Sequence, residues 1–98
     1  MNQRELGSRF ASGYKSGKAG NLSIINLGRG RTALVSYGWA VLAIRSPEGQ
    51  ITEFSGWYGY SVSTSCQISR SGIHYYAHRT LNTVPRLETS IRGKGLRV

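Results

Sequence analysis

Aspartate is missing from this sequence altogether, and four glutamates face thirteen lysines and arginines, giving a formal net charge of +9 and a pI near 10.5. Carboxylate-pair hydrolysis and magnesium-dependent nuclease chemistry both need acids clustered in one cleft. Beyond Glu5 at the first helix start, Glu48 and Glu53 are the only acids inside the expected fold, and Glu48 falls in a turn, so neither an enzyme nor a cofactor is expected. Cysteine is nearly absent as well. A lone Cys66 excludes an internal disulfide and points to a reducing compartment, the cytoplasm. Long apolar runs are lacking: the longest, Trp39 to Ile44, is too short to cross a bilayer, and Met1-Asn2-Gln3-Arg4-Glu5 lacks the apolar core of a signal peptide. No membrane partner is expected.

What is present is positive charge and aromatic surface. Ninety-eight residues suit one domain with one core. Two Trp, six Tyr and two Phe supply large contact areas to a chain whose hydrophobic share is 39%, which implies a thin, aromatic-rich core. A surplus of cations costs stability through self-repulsion, and solubility alone needs far less of it. An anionic partner is the physical reason to keep it. Ten of the thirteen cations are arginine, whose planar fork suits phosphate and base edges.

The pattern along the chain predicts an α+β fold: a small antiparallel sheet of three to five strands, a short N-terminal helix, a second helix after the sheet, and a basic C-terminal tail. Asn2 and Glu5 have the spacing of a capping box, Leu6 and Phe10 share a helix face, and Gly13 is placed to end the helix. Residues 13–20 read as a glycine- and lysine-rich loop. It falls short of a Walker loop, because Gly13 is one position too close to Gly17-Lys18 and Ala19 replaces the magnesium-binding hydroxyl. Strands are expected from Leu22, from Thr32 to Tyr37, and in a hairpin pairing Trp39–Arg45 with Gln50–Phe54 across Ser46-Pro47-Glu48-Gly49. Trp57 to Tyr60 reads as a further strand. Thr64 and Gln67 suggest a cap for a helix that continues toward Ala77, unless Gly72 stops it and leaves 73–78 as strand. The domain is assigned to 1–84 and a flexible tail to 85–98.

Gly17-Lys18-Ala19, Asn21-Leu22 and Ile24, Tyr37-Gly38, and Tyr60-Ser61-Val62-Ser63-Thr64-Ser65 together resemble a small domain of unknown function found in phages and plasmids of bacteria and archaea. The likeness runs from about Leu6 to Tyr76, and its most specific part is a Tyr-Ser-x-Thr-Thr-Ser signature. This chain departs from it where Ser63 replaces the first Thr and where Gln67 stands in for a His. The resemblance implies a mobile-element protein in a prokaryotic cytoplasm. It implies no biochemical activity.

Basic residues interleaved with aromatics suit nucleic acid, DNA or RNA, since cations neutralise phosphates and exposed rings stack on unpaired bases. The candidate contacts are Lys15, Lys18, Arg29, Arg31, Arg70, Arg86, Arg92 and Lys94 for the backbone, with Trp57, Tyr58 and Tyr60 for bases. Alternation along a strand would set Tyr58 and Tyr60 on one face and Trp57 on the other, with Trp39 in the core. Aromatics and arginines equally suit docking on an acidic host protein, the competing expectation. Ser61, Ser63, Thr64 and Ser65 are explained most simply as a helix cap. Cys66, His74 and His78 match no familiar metal spacing, and a Cys66–His74 nucleophile pair has no Asp to orient the imidazole, with Asn82 the only nearby amide.

Overall fold

The computed structural model describes residues 1–88 and 95–97. Helix α1 (Gln3–Ser12) starts as expected: the Asn2 side chain accepts from the Glu5 N–H at 2.8 Å, and Gly13 closes the helix in the left-handed conformation, φ 101°. Strands β1 (Gly17–Ala19), β2 (Leu22–Gly28), β3 (Arg31–Ser36), β4 (Ala40–Arg45) and β5 (Ile51–Phe54) follow as an antiparallel meander. A 3₁₀ turn (Gly56–Gly59), α2 (Val62–Ser71) and the short α3 (Ile73–Tyr76) then form a crossover. That crossover returns β6 (Arg79–Leu81) parallel to β5, as a parallel pair requires. His78 sets the register of this return: its N–H donates to the Ile51 carbonyl at 2.8 Å, and its Nδ1 accepts from the Ile51 N–H at 2.9 Å.

The α+β class is as read from the sequence, while the sheet is larger. Eight strands lie in one sheet among the described residues, against the expected three to five. The additions are short. β1 lies in the glycine-rich stretch read as a loop, and within 85–98 the segments β7 (Arg86–Glu88) and β8 (Gly95–Arg97) pair with β4 and with each other. Two further expectations need correction. Trp57-Tyr58-Gly59 lies in a 3₁₀ turn rather than a strand. The cap of α2 is Ser61, whose Oγ accepts from the Thr64 N–H, and not Thr64. Gly72, at φ 70°, ends α2 before the helical turn of α3, so Cys66 and Ala77 do not share one continuous helix.

Register assigns the two faces of the sheet. The cross-strand row Ile24, Leu34, Ala43, Glu53, Thr80 lies beneath the helices, and the neighbouring row Ile25, Ala33, Ile44, Thr52, Arg79 lies on the opposite face. Leu6 and Phe10 of α1 and Ile68 of α2 are fully buried on the helical side. The two helices cross closely because Gly7 has no side chain: a Cβ there would fall 2.0 Å from the Ser71 carbonyl oxygen. The glycine that weakens α1 as an isolated helix is what lets it pack. No helix among the described residues is long and apolar enough to cross a membrane.

Candidate nucleic-acid interface

On the face opposite the helices, Arg31 of β3 and Arg79 of β6 border a groove of about 310 Å³. Ile44 and Leu81 form its floor with the edge of Phe54, and Thr52, Ser46 and Gln50 supply the polar rim. The arrangement follows from alternation. Thr52 pairs with Arg79 and Phe54 with Leu81, so each strand sends every second residue into the groove. Arg79 leans across it, with Nη2 3.4 Å from Thr52 Oγ1. Lys18 pairs with Ser23, which pairs with Val35, and this puts Lys18 on the same face at the β1 edge. No glutamate lines the groove. Among the described side chains, those of residues 1–87, no arginine or lysine lies within 4.0 Å of a carboxylate oxygen; the contact found there is between the His74 imidazole and Glu53.

The remaining cationic candidates are distributed over the molecule. Arg29 is exposed at the tip of the β2–β3 hairpin, at φ 55° beside Gly30 at φ 78°, and Lys15 is exposed in the loop before β1. Arg70 is exposed on α2, on the helical side. Arg45, not singled out from the sequence, reaches back to the α1 C-terminus, where its Nε donates to the Ala11 carbonyl at 3.3 Å. Arg92 and Lys94 lie outside the described residues. Among the described residues, therefore, the cations do not form one continuous face.

The two tryptophans exchange their expected places. Trp57 is fully buried and its indole N–H donates to the Val41 carbonyl at 2.9 Å, so it cannot stack on a ligand. Trp39, expected in the core, is 37% exposed. Trp57 supports an aromatic clamp from below, with Trp39 and Tyr60 edge-on to it at 5.7 and 5.3 Å. Arg86 fills the clamp: its Cζ is 4.7 Å from the Trp39 ring and 5.6 Å from Tyr60, and Nη2 donates to Tyr60 Oη at 2.6 Å. Arg86 and Tyr60 are thus engaged with each other, which also pins β7 to the body of the fold. Tyr58 is 48% exposed and remains free to contact a partner.

Sequence reasoning missed Arg79 and the pairing of exposed His74 with buried Glu53 on the helical side. The alternation Arg79-Thr80-Leu81 is a strand signal, but three residues at the end of a helical crossover are too few to stand out. Glu53 is fully buried on β5; its Oε1 pairs with His74 Nδ1 at 2.9 Å and accepts from Thr80 Oγ1 at 3.1 Å. His74 is thus oriented by a glutamate, in a chain that has no aspartate to do it. Cys66 belongs elsewhere, on the polar wall formed by α2, and among the described residues no three of His, Cys, Asp or Glu gather as metal ligands. Compared with protein-family models, with curated proteins and with solved structures, the chain matches none.

Proposed function

We propose that this protein binds single-stranded nucleic acid across the open face of its sheet. The observation that carries the reading is the pair Arg31 and Arg79, set on either side of an apolar floor with no carboxylate lining it. Such a groove supplies the two things a strand offers to both DNA- and RNA-binding surfaces: neutralisation for phosphates and apolar contact for base faces. A sheet surface favours unpaired bases, because a duplex is read by an element that enters its groove. Lys18 extends the positive charge along the same face. The likeness to a phage and plasmid domain belongs to this proposal as its setting and adds no activity.

The test is fluorescence anisotropy with a labelled oligonucleotide over a range of salt. Three phosphate contacts on a single strand predict a log–log salt slope of about −2. Arg31→Ala and Arg79→Ala should each reduce both affinity and slope, and a duplex of the same sequence should bind more weakly. Binding indifferent to salt and to both arginines contradicts the reading. Capture of one acidic protein from nuclease-treated lysate, with no oligonucleotide binding, would support host-protein docking instead.

A further inference from the structure

A second recess lies on the helical side, where the N-terminus of α1, two hairpin turns and α2 converge. Gln3, Asn21, Tyr37, Ser63, Gln67 and Arg70 line a cleft of about 290 Å³, and no carboxylate is among its lining residues. Its wall is fixed by the fold. The Tyr37 N–H donates to the Asn21 carbonyl at 2.8 Å, tying the β3–β4 turn to the β1–β2 turn. Gln67 is buried, and its Oε1 accepts from Ser36 Oγ. Two features go beyond what packing requires. Tyr37 holds a left-handed backbone, φ 55°, which glycine or asparagine would adopt at lower cost, and its side chain stands 53% exposed. Gln3 Oε1 is shielded from solvent and has no hydrogen-bond partner among the described residues. Beyond Gln3 and Arg70 the recess continues into a depression of about 420 Å³ bordered by Arg4.

We propose that this cleft binds a phosphorylated nucleoside, either free or as the terminal nucleotide of a strand. The side chains match the parts of such a ligand. Asn and Gln amides carry the paired donor and acceptor that read a base edge, adenine above all. Tyr37 offers a ring for the base to stack on, and the Arg70 guanidinium offers a fork for the phosphate, with Arg4 at the adjoining depression for a longer polyphosphate. Gln67 is tied to Ser36, but an anion-only site would have no use for the amides of Gln3 and Asn21. The inference goes beyond the groove reading and does not depend on it.

Cys66, the sole thiol of the chain, lines the same cleft and reports on it directly. Alkylation of the intact protein by iodoacetamide is followed with adenosine 5′-monophosphate, the three other common ribonucleotides, adenosine, inorganic phosphate, or a 5′-phosphorylated oligonucleotide present. Side-chain amide resonances of Gln3, Asn21 and Gln67 provide a second readout that does not pass through the thiol. Adenosine 5′-monophosphate is expected to slow alkylation and shift these resonances at millimolar concentration or below. Arg70→Ala should weaken that effect about tenfold, the loss of one charge-assisted contact, whereas Arg31→Ala with Arg79→Ala should leave it unchanged. Protection by the oligonucleotide alone would assign the strand terminus, and protection by free nucleotide the soluble ligand. The proposal is overturned if no nucleotide or oligonucleotide alters either readout, or if inorganic phosphate acts as strongly as the nucleotide.

Discussion

The sheet carries a recess on each side, and the two are built differently. The groove of Arg31 and Arg79 is made by strands and the β4–β5 turn, with an apolar floor and charge only at its rim. The cleft of Asn21, Gln67 and Arg70 is made where two helices meet two turns, and its lining is mostly amide, hydroxyl and guanidinium. An apolar floor accepts any base, because every base has a face. Oriented amides discriminate, because a base edge must match them. One sheet can thus present a tolerant surface and a selective one, with the difference set by which elements cover each face.

The largest effect should strike both recesses alike. Trp57→Ala removes a fully buried indole and its bond to Val41, and about 3–5 kcal/mol of stability should be lost in chemical denaturation. Trp39→Ala, at the exposed side of the clamp, should cost about 1 kcal/mol, chiefly the cation–π contact with Arg86. Gly7→Ala comes next and separates the recesses. The new methyl meets the Ser71 backbone, so α1 must move off α2, for a loss of about 3 kcal/mol. Residual folded protein should keep oligonucleotide binding and lose nucleotide protection of Cys66.

Charge reversal at the groove separates them in the opposite sense. Arg31→Glu with Arg79→Glu should weaken oligonucleotide binding by about 2 kcal/mol or more, read by anisotropy at low salt, with the melting temperature little changed. The smallest effect is a gain. Tyr37→Asn relieves a left-handed tyrosine and should stabilise the fold by roughly 0.5–1 kcal/mol. The same change removes the proposed stacking ring, so a more stable protein should bind nucleotide less well. If Tyr37→Asn leaves stability untouched, the backbone is not strained there and one support for the cleft is gone.

Local signals were legible in the sequence and long-range ones were not. Asn2, Glu5 and Gly13 mark both ends of α1 because caps act over three or four residues. The β4–β5 hairpin was legible for a similar reason, since Ser46-Pro47-Glu48-Gly49 dictates its turn. The place of each tryptophan was not. Trp39 sits beside an apolar run, yet the turn through Tyr37 and Gly38 lifts it to the surface, whereas Trp57 is drawn inward by a 3₁₀ turn that mimics strand composition. Of the candidate site, Lys18 and Arg31 were named, and they share a face. Arg79 was not, because it joins them only through the parallel return of β6, a pairing across 24 residues of crossover between Phe54 and Arg79. Pairing of Glu53 with His74 was hidden for the same reason.

The central claim is that a nucleic-acid strand lies on the helix-free face of the sheet, and amide shift mapping with an unlabelled oligonucleotide tests it most directly. Shifts should concentrate at Ile44, Thr52, Phe54, Arg79 and Leu81, and vanish in the Arg31→Glu, Arg79→Glu protein. Saturable binding whose shifts fall only on the helices, or that survives the double reversal intact, would contradict the account.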